Sequence, residues 1–201
     1  MILEKEKISF ACLFLLFLAM CFALVKGYEI HDGGIVENIQ AAVLVLIFIK
    51  SIITLKNPKN KFKLFYTLVI LASLWGFLEE INYGQRIFGY SIPDFFRTYN
   101  IQKEFNIHNF SKYTGEFICL AIVTIFGGIL IFKKRITNSF FNRFIPEIIF
   151  NNSKYIIAGP LLFAIITIIT SLLKTNLPFN SADLGEVFEL YFYLSVLVFI
   201  F

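Results

Sequence analysis

Charge is scarce in this sequence. Asp, Glu, Lys and Arg make up 16% of its 201 residues, where a soluble domain carries about 25%. With 58% hydrophobic residues and a mean hydropathy of +0.75, that scarcity excludes both an ordinary water-soluble domain and a disordered chain. Cysteine occurs three times and histidine twice. Cys12, Cys21 and Cys119 all lie inside apolar runs with no ligand-like spacing. They exclude a disulfide framework and a cysteine metal site, and they read as buried structural thiols. No Gly-rich phosphate loop, His-x-x-x-His pair or Gly-x-Ser-x-Gly elbow is present. No internal repeat or long linker divides the chain. The net charge of +4 does not point to nucleic acid, because the basic residues stand at the ends of apolar runs, where they act as topology signals.

What the chain has is a series of long apolar runs. Each is close to the length of about 20 residues that a bilayer requires. They predict an all-α, polytopic transmembrane helix bundle of about six spans, near 8–25, 39–55, 64–81, 116–132, 155–173 and 184–201, forming one integral membrane domain over 1–201. The first run is longer than the apolar core of a signal peptide, and no small-residue cleavage site follows it, so it reads as an uncleaved span. The longest loop lies between the third and fourth spans. Within it Ser91-Ile92-Pro93-Asp94 marks the start of a short helix. Phe95, Phe96 and Tyr99 would give that helix an aromatic face lying in the membrane interface. Phe140, Phe141, Phe144 and the run 148–150 are expected to dip into the headgroup region of a second, basic loop.

Orientation follows from the positive charges. With the N-terminus cytoplasmic, 12 of the 18 Lys and Arg residues lie inside, including the Lys56–Lys63 turn, Lys133, Lys134 and Arg135. The positive-inside rule selects this arrangement, which is read as a multi-pass protein of the cell (inner) membrane. The carboxylates then sort the other way: of 14 Asp and Glu, only Glu4, Glu6 and Glu147 are inside. Acidic residues contribute little to topology, so this second asymmetry is separate information. It puts the acidic chemistry on the extracytoplasmic face.

Glu79 and Glu80 close the third span, Glu116 opens the fourth, and Glu186 and Glu189 open the sixth. On a continuous helix Trp75, Glu79, Tyr83 and Arg86 would share one stripe, and Arg86 would pair with Glu79. Acids gathered at one rim raise one another's proton affinity, so one can serve as general acid and another as general base. Glu79 and Glu80, assisted by His108, are therefore the candidate catalytic residues. Gln85, Arg86, Asn106, Asn109, Glu186 and Glu189 are the candidate substrate-binding residues. The same carboxylates suit a hard divalent cation, although no ligand set is fixed. The bland alternative is helix capping: Glu116 and Glu186 stand where the helix dipole favours a negative charge.

The segment Glu79-Glu80-Ile81-Asn82-Tyr83-Gly84-Gln85-Arg86, followed by Asn100-Ile101-Gln102, Glu104 and Asn106-Ile107-His108-Asn109, resembles a group of uncharacterised bacterial multispanning membrane proteins. Their shared segment reads roughly Glu-Glu-Ile-Ser-Trp-Gly-Gln-Arg, then Asn-x-Gln-x-Glu-x-Asn-Leu-His-Asn. The likeness covers about 30 residues of the 201, and it departs at Asn82 and Tyr83. It implies a membrane fold and marks the motif positions, but it implies no reaction.

Three functions suit these features. The first is a membrane-embedded enzyme acting on a lipid or lipid-linked head group by hydrolysis or group transfer. The second is a transporter or channel with an acidic outer mouth. The third is a packing subunit, held to a membrane-protein partner or to a second copy by the aromatic loop.

Overall fold

The structure, a computed structural model, describes residues 2–25, 34–100, 103–107, 110, 120–125, 127–129, 131–132, 144–162, 165 and 181–201. Every regular element among them is helical, which is the all-α class expected. The elements are α1 (Ile2–Val25), α2 (Ile35–Lys56), α3 (Lys63–Glu80), a 3-10 turn (Asn82–Gly84), α4 (Gln85–Phe88), α5 (Asp94–Tyr99), α6 (Glu147–Ile156) and α7 (Ser181–Ile200).

Helices α2 and α3 form a hairpin about the basic turn. Asn57 leaves helical geometry (ψ 118°) just before Pro58, and its amide closes on the Thr54 carbonyl at 3.2 Å. Proline cannot continue the helix. Asparagine side chains then build the turn. Asn57 Oδ1 accepts from the Lys59 amide (3.0 Å), Asn60 Oδ1 accepts from the Phe62 amide (2.8 Å), and Asn60 Nδ2 donates to the Thr54 carbonyl (3.0 Å).

Helix α7 is the hub, packing on α1, α2 and α6. Phe17 of α1 lies against Phe188 and Tyr191, with ring centroids 4.9 and 5.5 Å apart. On the other side Val36, Val43 and Ile47 of α2 meet Leu190, Val196 and Ile200 of α7 and Ile149 and Ile156 of α6. Tyr191 donates to the Tyr155 carbonyl at 2.9 Å. This approach requires the glycine at Gly159, where a Cβ would stand 2.3 Å from the Tyr191 ring.

Several expectations are corrected here. Helix α2 begins at Ile35 rather than 39, so Glu37 falls in its first turn instead of a loop. A carboxylate there is favoured by the dipole. The run 148–150 does not face a headgroup region as a whole. Helix α6 starts after Pro146 and buries Ile149, Phe150 and Ile156, because Ile149, Asn152, Ser153 and Ile156 fall on one helical face. Cys12, expected to be buried, is exposed. Parts of the fourth and fifth expected spans, and Cys119, Glu116 and the Lys133–Arg135 run, lie outside the described residues.

Among the described residues α2 is the helix long and apolar enough to cross a bilayer by itself. Helix α3, taken with the segment Asn82–Phe88 across a 60° bend, meets the same measure. Both show apolar side chains outward. Leu64, Leu68, Leu71 and Trp75, at spacings of four, three and four on α3, are each 51–57% exposed. Ile35, Ile39, Leu46, Ile49 and Ile53 are likewise exposed on α2.

Candidate functional site

The end of α3 is built by a change of backbone hand. Asn82, Tyr83 and Gly84 take φ of 50°, 51° and 92° in succession. Asparagine and glycine visit this region routinely, but tyrosine rarely does. Side chains hold the turn. Tyr83 donates its hydroxyl to Glu79 Oε1, and Tyr90 donates to the Tyr83 carbonyl at 2.5 Å. Burial, followed by the bond to Glu79 and the charge of that carboxylate, pushes the Tyr83 phenol up to about 12, while a bond from Trp75 acts the other way.

The bend separates the two adjacent glutamates. Glu79 turns toward the loop: its Oε2 accepts from the Ile107 amide at 2.7 Å. Asn106, almost fully buried, donates to Asn82 Oδ1 and to Glu104 Oε2, both at 2.8 Å. Asn100 Nδ2 donates to the Asn106 carbonyl and to Asn106 Oδ1, each at 2.8 Å. Gln85 Oε1 accepts from the Phe105 amide at 3.3 Å. Glu79, Gln85 and Asn106 thus tie the loop to the end of α3. Phe105 and Phe110 pack edge-to-face on Phe96 in the same loop, with Phe96–Phe105 centroids 4.6 Å apart. The short helix expected after Pro93 is present as α5, with Phe95 and Tyr99 exposed.

Glu80, also buried, faces the other way, toward α2 and α7. The charges of Glu189, Glu186 and Glu37 act on it, opposed by Arg86. Tyr193 of α7 bonds to Glu80. Arg86 does not reach Glu79, as the continuous stripe required. The left-handed turn swings it to Glu37, with which it forms an ion pair, and its Nη1 also donates to the Glu80 carbonyl at 2.6 Å.

The cluster is layered. Its floor is Leu44 of α2, Gly76 of α3 and Tyr193 of α7: a Cβ on Gly76 would stand 3.3 Å from Leu44 and 3.9 Å from the Tyr193 hydroxyl. Gln40, Glu80 and Glu189 each stand four residues, about one helical turn, from a floor residue on their own helix. The acids that end α3 and open α7 are thus at the same end of the molecule. Gln40 is 0% exposed, and its Nε2 donates to the Glu186 carbonyl at 2.9 Å.

Of the candidate residues, the structure brings together Glu80, Glu186, Glu189 and Arg86, and it places Glu79, Gln85 and Asn106 in the loop network beside them. His108 and Asn109 lie outside the described residues. Sequence reasoning missed Glu37 and Gln40. The signal available was a glutamate and a glutamine three residues apart at the head of an apolar run. Among the described residues no group of three or more His, Cys, Asp or Glu side chains is arranged to hold a metal ion.

Fold and site together define a helical protein with an acidic cluster at one end and a candidate membrane span. No family model, no curated protein and no solved structure matches the chain.

Proposed function

We propose that the chain is a polytopic bacterial inner-membrane protein of about six spans with a cytoplasmic N-terminus. The acidic cluster then lies at the extracytoplasmic rim and acts as an acid/base site on a lipid or lipid-linked head group, in hydrolysis or group transfer. The exposed Leu64-Leu68-Leu71-Trp75 stripe supports the membrane setting, since a soluble surface rarely carries contiguous apolar patches of this kind. The resemblance of the 79–109 segment to bacterial multispanning proteins agrees with it.

The observation that carries the chemistry is the buried Glu80 carboxyl, bonded to Tyr193 and within the electrostatic reach of Glu186 and Glu189. Acids gathered at one end of the molecule, with one guanidinium that is itself held by Glu37, share protons in this reading instead of all ionising. One protonated and one ionised carboxyl in a single site is the requirement for general acid/base work. Arg86, occupied by Glu37 and a carbonyl, braces the rim in this reading. Glu79 positions the loop that leads to His108.

The test is the lipid profile of a deletion strain carrying plasmid copies. Glu80→Gln is expected to accumulate to the wild-type level and leave the deletion's altered profile uncorrected. Correction by Glu80→Gln, or a deletion profile identical to wild type, overturns the reading. The excess of carboxylates favours one rival, a cation-conducting mouth. For that, proteoliposome ion flux lost in Glu80→Gln is the decisive result.

A further inference from the structure

Lys50, Lys56, Lys59, Lys61 and Lys63 gather at the turn between α2 and α3, and no carboxylate occurs from Glu37 to Glu79 to offset them. All five are exposed. None makes an ion pair or a side-chain hydrogen bond among the described residues. Like charges crowded in this way repel one another, and an anion that binds among them relieves the repulsion. The backbone beneath them is already fixed. The side chains of Asn57 and Asn60 bond to the backbone of Thr54, Lys59 and Phe62, so ordering of the turn does not oppose binding.

The surface beside the lysines says which anion fits. Ile49, Ile53 and Lys56 follow one another on α2 at spacings of four and three, which puts them on one helical face. Both isoleucines are exposed, at 46% and 65%. Across the turn, Lys63 is followed on α3 by the exposed Leu64 and Leu68. Ammonium groups at the foot of an exposed apolar stripe suit a molecule that carries an acyl chain and an anionic head together. A nucleic acid leaves the apolar stripe uncovered, and a zwitterionic lipid brings no net charge.

We propose that the Lys56–Lys63 turn docks an anionic phospholipid, its phosphate among the lysines and its acyl chain along Ile49 and Ile53. The inference rests on the membrane setting proposed above, not on the acid/base chemistry, and it places a lipid contact at the opposite end from the acidic cluster. Each lysine beside an anionic lipid surface strengthens attraction by about fivefold.

The test is native mass spectrometry of the full-length protein released from mixed micelles of phosphatidylglycerol and phosphatidylethanolamine. Wild type is expected to retain the glycerol lipid in about tenfold excess or more. Lys59→Gln with Lys61→Gln is expected to cut that ratio by about fivefold or more. Arg97→Gln with Lys103→Gln removes the same charge from the loop at the other end and is expected to leave the ratio unchanged. An equal fall in both double variants would make the preference one of net charge and overturns the proposal. So does an even ratio in wild type, which needs no variant. Displacement of the glycerol lipid by a short DNA duplex would assign the turn to nucleic acid and overturns it as well. Retention of neither lipid contradicts the membrane setting itself, whereas the lipid profile of Glu80→Gln reports on the acid/base chemistry, so the failures are distinguishable.

Discussion

Glu79 and Glu80 are adjacent and chemically identical, yet the structure gives them different work. Successive helical residues point about 100° apart, so one carboxylate meets the loop and the other meets α2 and α7. Glu79 accepts from Tyr83 and from the Ile107 amide. Glu79→Ala is therefore expected to destabilise the protein by about 2–3 kcal/mol, the loss of hydrogen bonds to a charged group, and Tyr83→Phe by about 1 kcal/mol. Chemical unfolding in micelles measures both; wild-type stability for Glu79→Ala contradicts its role as a tie. Tyr83 also has a pH signature. Its phenol is pushed from 10.0 up to about 12 in the folded protein, so between these values the folded state holds the proton that the unfolded state has lost. Folding stability from this group is intact below pH 10 and falls as the pH rises from about 10 to about 12. The ultraviolet titration difference between wild type and Tyr83→Phe should be one phenol ionising near 12.

At the scale of elements, the start of α2 and the end of α3 decide where the side chains go. Gly84 sits at φ 92° with Phe88 3.2 Å from where a Cβ would be. Gly84→Ala is expected to cost about 1–2 kcal/mol for the left-handed backbone, and it should loosen the Arg86–Glu37 pair. Gly159→Ala should cost about 1–3 kcal/mol by overpacking against Tyr191. Thermal unfolding in micelles checks both, and unchanged melting would show that these close approaches are not needed. The helices themselves were legible in the sequence as apolar periodicity and length. So was α5, through Pro93 and Asp94. The turn at Asn82-Tyr83-Gly84 was not. Asn82 and Gly84 admit a positive φ, but nothing local says that Tyr83 will share it; tertiary bonds from Tyr90, Asn106 and Glu79 impose it. The partner of Arg86 was lost with that turn. Gln40 was missed because a lone glutamine in an apolar helix looks the same whether or not its amide is satisfied.

For the whole molecule, the governing idea is that opposite charges are sorted to opposite ends. The Lys56–Lys63 turn lies at one end of the α2–α3 hairpin, and Glu37, Glu80 and Arg86 lie at the other, where α7 adds Glu186 and Glu189. Charge asymmetry along the sequence anticipated this clustering, because helix ends are where a bilayer tolerates ionised groups. Identifying which acids face one another required the packing of α7 against α2. The most direct measurement is labelling of intact cells with a membrane-impermeant maleimide, after Cys12, Cys21 and Cys119 are replaced by serine. A single cysteine is placed at Lys59 in the basic turn or at Asp94 beside the acidic end, both exposed positions. Asp94→Cys should label from outside and Lys59→Cys only after the cells are opened. Labelling of both from outside, or of Lys59→Cys alone, contradicts an acidic site at the extracytoplasmic rim.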